Sequence, residues 1–378
     1  MKSFSLLIPA LLATASMFGQ SIIVDSILVG NIYRDYRLYV PAIYDGSKAV
    51  PLVINFHGYS SNNLEQEYYG NFKPLADTAN FIIAHPNGTI DAFGNRHWGN
   101  LLPGPKADDS GFIAAMIDKL SSQYQIDQNA IYATGMSNGG NMSYLLGCDL
   151  SEKIAAIASV TGFMTAAELS SCQISHPLPV MIIHGTADAV VAYNGTSYFL
   201  PVEDLVYEWV GKNGCNNIPE ILQVPNTNLA DNCTAEHWIF KDGFQNSSVE
   251  LYKIFGGGHS WPGAFVNLNV TNQDFSASAE IWRFFRKYRL NELMSSTEPE
   301  IWEGFDISPI PFSDQLSVDI PESIRQGDFS MYDSKGSLIL QKNAVSGQLT
   351  IPTDNLLPGI YFAALRVGDK IYRQKIVK

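Results

Sequence analysis

Basic side chains are scarce in this chain of 378 residues. Lysine and arginine together number 24 against 37 aspartate and glutamate residues, so the formal net charge is −13. A strongly acidic surface repels both the phosphate backbone of nucleic acids and anionic lipid head groups. We therefore expect neither nucleic acid nor an anionic membrane surface as a partner.

Metal-binding motifs and long apolar runs are also missing. No H-E-x-x-H motif occurs and the seven histidines are scattered, so we expect no metal and no other cofactor. The apolar stretch at residues 6–18 is shorter than the roughly 20 residues that a membrane-spanning helix needs. It follows Lys2 and precedes the small residue Gly19. This pattern predicts a cleaved secretory signal peptide at residues 1–20 and no stable membrane span, with an uncleaved anchor as the alternative.

Only four cysteines are present, and in an exported protein an even number indicates disulfides. Four cysteines allow three complete pairings. Because short loops close easily, we favour a bond between Cys148 and Cys172 and a second between Cys215 and Cys233.

The sequence G-M-S-N-G at residues 135–139 fits the G-x-S-x-G nucleophile elbow. Three fixed positions would occur by chance roughly 0.1 to 0.2 times in a chain of this length, so the flanks must support the motif. The apolar residues 124–133 predict a strand that enters it, and residues 138–146 predict a helix that leaves it. A sharp turn between strand and helix would hold the Ser137 hydroxyl clear of the sheet.

Two later strands supply partners in the order serine, acid, histidine that is typical of α/β-hydrolases. Asp188 follows the apolar run at residues 179–183, and His259 follows a strand at residues 248–255 and three glycines. Because a serine hydroxyl is a poor nucleophile at its own pKa, it needs a hydrogen-bonded base. We predict that His259 takes the proton of Ser137 and that Asp188 orients the imidazole.

An oxyanion site is predicted at the end of an early strand, residues 53–56. The main-chain N–H of Tyr59 is our choice for one donor, with Gly58 as the alternative, and Asn138 supplies the other. His57 is expected to hold this loop rather than to take part in catalysis. The other histidine that follows a strand, His184, is expected to pack beside the acid.

Two tryptophans are candidate contacts for the acyl or aromatic part of a substrate. Trp98 lies in an irregular segment that continues to residues 103–105, on the side where α/β enzymes bind ligands. Trp261 directly follows the predicted base. Ordinary packing within a loop is the alternative for Trp98.

Five segments of the chain form a recognisable set: H-G at 57–58, D-D-S-G-F at 108–112, G-M-S-N-G-G at 135–140, H-G-T-A-D at 184–188 and G-H-S-W-P-G at 258–263. Together they resemble the secreted esterases grouped as polyhydroxybutyrate depolymerases or feruloyl esterases, close to carbohydrate esterase family 1. The resemblance covers roughly residues 25–290. It implies a serine carboxylesterase that acts on short acyl esters, on aryl esters of plant polysaccharides or on polyesters.

Alternating strands and helices predict an α/β fold with a mostly parallel sheet. We assign this fold to an α/β-hydrolase domain at residues 21–290. Besides the strands already named, we predict strands at residues 81–84 and 154–160 and helices at residues 110–120, 201–211 and 276–288.

After a polar linker at residues 291–303, the alternating pattern of residues 304–378 predicts a small all-β sandwich. P-I-P-F at 309–312, G-I-Y at 359–361 and the basic end of the chain resemble the C-terminal sorting domain of the type IX secretion system, although Ile310 replaces the usual asparagine. The resemblance implies the type IX secretion machinery as a partner and a location outside the cell or at its surface.

We favour a secreted esterase that hydrolyses acyl or feruloyl esters of plant polysaccharide. A polyhydroxyalkanoate depolymerase is the alternative. In a third reading, the β-sandwich is a carbohydrate-binding module and the chain a secreted polysaccharide-binding protein without activity. The complete set of triad candidates argues against it, as does the position of Trp302 at the linker boundary, since sugar-binding modules usually present exposed aromatic rings.

Overall fold

The structure is a computed structural model that describes residues 20–99, 107–265, 270–294, 305–321, 324, 326–333, 338–368 and 370–378. The predicted signal peptide lies outside the described residues except for its last position. The segment at residues 103–105 and most of the predicted linker also lie outside them.

The first domain alternates strands and helices. Its first half contains β1 (Ser21–Val29), β2 (Ile32–Val40), β3 (Val50–Phe56), α1 (Asn63–Tyr69), α2 (Lys73–Ala79), β4 (Ile82–Pro86), β5 (Thr89–Ile90), β6 (Arg96–His97), α3 (Asp109–Gln123), β7 (Ile126–Met136) and α4 (Asn138–Asp149). Its second half contains β8 (Ala156–Val160), α5 (Ala166–Ser171), β9 (Val180–Gly185), α6 (Val202–Asn213), β10 (Glu220–Val224), β11 (Thr234–Phe240), β12 (Val249–Phe255), α7 (Ala277–Phe285) and α8 (Leu290–Leu293).

Ten of these strands form one sheet in the order β1-β2-β4-β3-β7-β8-β9-β12-β11-β10. The six strands from β4 to β12 run parallel, and the two at each edge are antiparallel. The carboxyl ends of the parallel strands therefore meet at one edge of the sheet, where α/β enzymes bind their ligands. The loops after β3, β7, β9 and β12 are brought together at this edge.

Helices cover both faces of the sheet, as a buried parallel sheet requires. Alternate residues of β3 point to opposite faces, so Leu52 and Ile54 join the core under α3, α4 and α6 whereas Val53 joins the core under α2, α7 and α8. The predicted helix at residues 110–120 is α3, and the predicted closing helix is α7, which ends at Phe285. A further turn, α8, begins at Leu290, the last residue of the predicted hydrolase domain, and buries Leu293 at the start of the predicted linker.

The C-terminal part is all-β. It contains β13 (Asp306–Ser308), β14 (Gln315–Asp319), β15 (Gly327–Asp333), β16 (Leu338–Val345), β17 (Gln348–Pro352), β18 (Ile360–Val367) and β19 (Lys370–Val377). These strands form the antiparallel sheets β13-β14-β17 and β16-β15-β18-β19 around a separate core that includes Leu316, Phe329 and Leu365. The predicted fold class, an α/β-hydrolase sheet followed by a small β domain, is confirmed.

One of the two predicted disulfides is present. Cys148, in the last turn of α4, is bonded to Cys172 at the end of α5. The predicted bond between Cys215 and Cys233 is wrong. Cys215 precedes β10 and Cys233 precedes β11, so the two lie at opposite ends of an antiparallel hairpin. The paired part of this hairpin is five residues long and spans about 14 Å, whereas a disulfide cannot span more than about 7 Å between Cα atoms.

Among the described residues, no helix is both long enough and apolar enough to cross a membrane.

Candidate active site

Ser137 occupies the turn between β7 and α4 with φ 58° and ψ −119°. L-amino acids rarely adopt this region, and such strain persists only where the surroundings enforce it. Here the Ser137 N–H donates to the carbonyl of Val160 at 2.9 Å, and the Ser137 carbonyl accepts from Asn141 N–H at 3.0 Å. The strand and the helix therefore both hold the turn, which leaves the serine side chain half-buried at the ligand edge of the sheet.

The two outer glycines of the elbow allow α4 to start close to β3. A Cβ atom on Gly139 would lie only 2.2 Å from the carbonyl oxygen of Phe56. A Cβ atom on Gly135 would lie 2.5 Å from the carbonyl oxygen of Gly139. Any larger residue at either position would push the helix away, so the motif is required by packing as well as by the turn.

The predicted base and acid are hydrogen-bonded to each other. His259 Nδ1 lies 2.8 Å from Asp188 Oδ2, while Asp188 Oδ1 accepts from the main-chain N–H groups of Val190 and Val191 at 2.8 and 2.9 Å. Burial opposes ionisation of this carboxyl group. The hydrogen bonds from His184 and His259 outweigh burial, so the pKa of Asp188 lies well below its usual range. Asp188 is therefore an anion that holds the Nδ1 proton of His259.

The loops that carry this pair are joined at the ends of neighbouring strands. The N–H of Ala187 donates to the carbonyl of Gly257 at 2.9 Å, and Thr186 N–H donates to the carbonyl of Ile254 at 2.8 Å. A Cβ atom on Gly185 would lie 2.2 Å from the Gly257 oxygen. Because the loops are in such close contact, the acid and the base keep a fixed separation.

The predicted oxyanion loop lies beside the serine. A Cβ atom on Gly58 would lie 3.4 Å from Ser137 Cβ and 4.0 Å from Ser137 Oγ. The next residue, Tyr59, has a main-chain N–H without an acceptor among the described residues. Asn138 is the first residue of α4, where the N–H group has no partner within the helix. Both predicted main-chain donors thus belong to segments beside the predicted nucleophile.

His57 supports this loop, as expected. Its Nε2 accepts a hydrogen bond from the Gly88 N–H at 2.9 Å, so the proton is on Nδ1, which donates to the carbonyl of Gly58 at 2.7 Å. Burial lowers the pKa of His57 to about 4 and keeps the ring neutral.

The rings of both tryptophans predicted as substrate contacts are buried, which favours packing within the protein over contact with a substrate. Trp98 is 1% exposed and Trp261 is 2% exposed. Trp261 Nε1 donates to Ser278 Oγ at 3.1 Å, and Trp98 Nε1 donates to the carbonyl of His57 at 3.0 Å. A buried indole stabilises the fold most when its ring is packed and its N–H is hydrogen-bonded, and both tryptophans meet these conditions.

His184 packs beside the acid, as expected, with its Nε2 3.3 Å from Oδ2 of Asp188. Sequence reasoning missed one feature of the site, the side chain of Asn138. Only the main chain of Asn138 was considered, although its side chain binds the backbone of Trp98 at 2.7 and 3.0 Å. Both hydrogen bonds go to Trp98, which lies 40 positions away in the chain, so no local pattern indicates them. No group of three metal-ligating side chains exists in the part of the chain that the structure describes.

This sheet order, with a serine on a strained elbow and an acid and a histidine on later strand ends, defines the α/β-hydrolase class. Residues 41–202 match the phospholipase/carboxylesterase family model, and residues 306–378 match the secretion system C-terminal sorting domain.

Named esterases are among the similar proteins. The chain is 32% identical over 235 residues to feruloyl esterase B of Piromyces equi, a match that covers 58% of this chain and 41% of that protein. It is 28% identical over 260 residues to a probable feruloyl esterase C of Aspergillus niger, with 67% and 83% covered. Among solved structures, a CE1 ferulic acid esterase from Anaeromyces mucronatus matches with 14% identity, a TM-score of 0.45 and coverage of 72% and 92%.

The chain thus has an α/β-hydrolase fold whose sequence is similar to esterases, followed by a part that matches a secretion sorting domain, and the resemblance found in the sequence is confirmed. It spans less than half the length of the Piromyces relative. The polyester alternative has no specific support from these relatives.

Proposed function

We propose that this protein is a secreted serine carboxylesterase that hydrolyses acyl or feruloyl esters of plant polysaccharide through an acyl-enzyme intermediate. The observation that carries the proposal is Ser137 on its strained elbow beside Gly58, with the hydrogen-bonded pair His259 and Asp188 after the ends of β12 and β9 at the same edge of the sheet. The relatives named feruloyl esterases support the choice of substrate.

The proton transfers follow from the hydrogen bonds of His259. Because Nδ1 donates to Asp188, the lone pair of the neutral ring is on Nε2. In the proposed reaction, Nε2 takes the Ser137 proton as Oγ attacks the ester carbonyl, and it returns the proton to the alcohol that leaves. Water then attacks the acyl-enzyme by the same route, which releases the acid and restores the serine.

Two charges develop during this reaction, and each has a partner. The carbonyl oxygen becomes an oxyanion, which the main-chain N–H groups of Tyr59 and Asn138 would bind. The imidazolium of His259 is stabilised by Asp188, which is anionic because its hydrogen bonds lower its pKa against the effect of burial. These partners are already oriented before substrate arrives, so little reorganisation is needed in the transition state.

The sorting domain supports export by the type IX secretion system to the cell surface or the extracellular space. An enzyme at that location would meet polymeric substrates that cannot enter the cell.

A substrate panel with a nucleophile variant tests the proposal. Wild type should hydrolyse methyl ferulate, acetylated xylan and 4-nitrophenyl acetate faster than polyhydroxybutyrate, and Ser137→Ala should abolish all four activities. Ser143→Ala is the matched control, because Ser143 is a buried serine of the same helix that donates only to the Gly139 carbonyl at 3.0 Å. Near-normal turnover in Ser137→Ala would exclude the serine mechanism, and a preference for polyhydroxybutyrate would favour the polyester alternative.

A further inference from the structure

Trp98 and Asn138 form a reciprocal pair of hydrogen bonds. The main-chain N–H of Trp98 donates to Asn138 Oδ1 at 2.7 Å, and Asn138 Nδ2 donates to the Trp98 carbonyl at 3.0 Å. Asn138 directly follows the nucleophile at the start of α4, whereas Trp98 follows the short strand β6. A side-chain amide thus fastens the residue after the serine to a loop from another part of the chain.

The indole of Trp98 reaches the oxyanion loop as well. Its Nε1–H donates to the carbonyl of His57 at 3.0 Å. The ring packs edge-on against Phe56 and at a tilt against His57, with centroids 5.1 Å apart in both cases. Trp98 therefore contacts both segments that carry the proposed oxyanion donors.

These bonds set the direction of the donors. In a trans peptide unit the C=O and the following N–H point in opposite directions. The His57 carbonyl is held by the indole, and the Gly58 carbonyl is held by His57 Nδ1 at 2.7 Å and by Ser61 N–H at 3.2 Å. The N–H of Tyr59 belongs to the same peptide unit as the Gly58 carbonyl. It therefore points in the direction opposite to the hydrogen bonds of that carbonyl.

A buried ion pair anchors the Trp98 segment from behind. Asp109 Oδ2 accepts from the Gly99 N–H at 2.8 Å, and Asp109 Oδ1 lies 2.6 Å from Arg34 Nη2. The Arg34 guanidinium lies 5.8 Å from the centre of the Trp98 ring. Arg34 and Asp109 are 4% and 5% exposed, so water does not weaken this anchor.

We infer that Trp98 and Asn138 are positioning residues that fix the two main-chain donors of the oxyanion site relative to Ser137, an inference that rests on the proposed function. Neither side chain reaches a substrate, since Trp98 is 1% exposed and Asn138 is 6% exposed. The pair acts on the transition state only, because the ester oxygen becomes charged after Ser137 has attacked. Its removal should lower kcat and leave KM largely unchanged.

Trp98→Phe tests the inference, because phenylalanine keeps an aromatic ring but lacks the N–H that holds His57. We expect kcat for 4-nitrophenyl acetate to fall by about 10- to 100-fold, the effect of a donor misplaced by a fraction of an ångström, with KM changed by less than about twofold. The inhibition constant of phenylboronic acid, which forms a tetrahedral adduct with an active-site serine, should rise by a similar factor. Asn138→Ala, a smaller change to the fold, should have the same kinetic pattern.

Trp209→Phe is the matched control. Trp209 is a fully buried tryptophan of α6 whose Nε1 has no hydrogen-bond partner among the described residues. Its replacement should change the melting temperature about as much as Trp98→Phe does, with no loss of kcat. The inference fails if folded Trp98→Phe and Asn138→Ala keep kcat within about twofold of wild type, or if only KM rises. In that case the proposed esterase function still stands. A wild type inactive on every ester would instead overturn the proposed function and this inference with it.

Discussion

His184 Nε2 lies 3.3 Å from Asp188 Oδ2, four positions along the chain. The same nitrogen lies 2.8 Å from the carbonyl of Val191, so it carries the ring proton and donates it between the two oxygens. The proposed catalytic acid, Asp188, is consequently held by a second imidazole, which is fully buried, in addition to that of His259. This arrangement keeps the carboxylate ionised and its oxygens in place.

Asp188→Asn should lower kcat by about 10⁴-fold, because an amide cannot hold the Nδ1 proton of His259 in the tautomer that catalysis needs. His184→Gln should cause a smaller loss, since the bond between His259 and Asp188 remains. Steady-state rates on a soluble ester measure both effects. Near-normal activity in Asp188→Asn would mean that another residue is the acid.

Stability should fall as the pH is lowered from about 6.5 to about 4, because two buried histidines are neutral in the folded protein. Burial lowers the pKa of both His57 and His85 to about 4, whereas unfolded histidine titrates near 6.5. In this window the unfolded chain binds protons that the folded chain does not, so the free energy of unfolding decreases with falling pH, by about 3 kcal/mol for each histidine. Urea unfolding at a series of pH values measures this slope.

His85→Leu provides the matched test of that linkage. His85 lies on β4, which β3 separates from the strand that leads to Ser137, and its two ring nitrogens have no hydrogen-bond partner among the described residues. Between pH 6 and 4.5, the free energy of unfolding of the variant should depend on pH less steeply than that of wild type, by about 1.4 kcal/mol per pH unit. The variant should keep its esterase activity. An unchanged slope would show that His85 does not titrate in this way.

The bond between Cys148 and Cys172 should stabilise the esterase domain. It joins residues 24 positions apart, and closing a loop of that length in the unfolded chain contributes about 3 kcal/mol. Cys148→Ser should therefore lower the melting temperature, and a reductant should do the same to wild type. Cys233→Ser, at a buried thiol outside this bond, is the control and should not mimic the effect of reduction. Equal stability of Cys148→Ser and wild type would argue against the bond.

Residues 21–292 alone should keep kcat/KM on a soluble ester within about threefold, because the all-β part has its own core and supplies no site residue. Deletion from residue 304 onward in the native host should instead leave active enzyme in the periplasm. A truncated chain that is folded by circular dichroism but inactive would show that the β domain completes the site. Continued export across the outer membrane after the deletion would contradict the sorting role.

Several features of the protein are encoded locally, and the sequence alone predicts them. Apolar periodicity separates strands from helices, and the glycines around Ser137 indicate a turn that few other residues permit. Asp188 and His259 follow strands whose carboxyl ends must meet in a parallel sheet. The alternation of strands and helices in the first part of the chain was enough to predict the α/β class. The later run of short strands was enough to predict the separate β domain.

Only the tertiary structure decided which distant side chains meet. From its position in the sequence, Trp98 was predicted to lie on the side where ligands bind. Its ring is instead buried against the predicted oxyanion loop, because β3 and β7 are neighbours and Asn138 binds the backbone of Trp98. Cys215 and Cys233 are close in sequence, yet the hairpin that follows Cys215 carries them apart. Strand order and register determine these contacts. The apolar periodicity of the sequence specifies which face of an element is buried, but it does not specify which residues that face contacts.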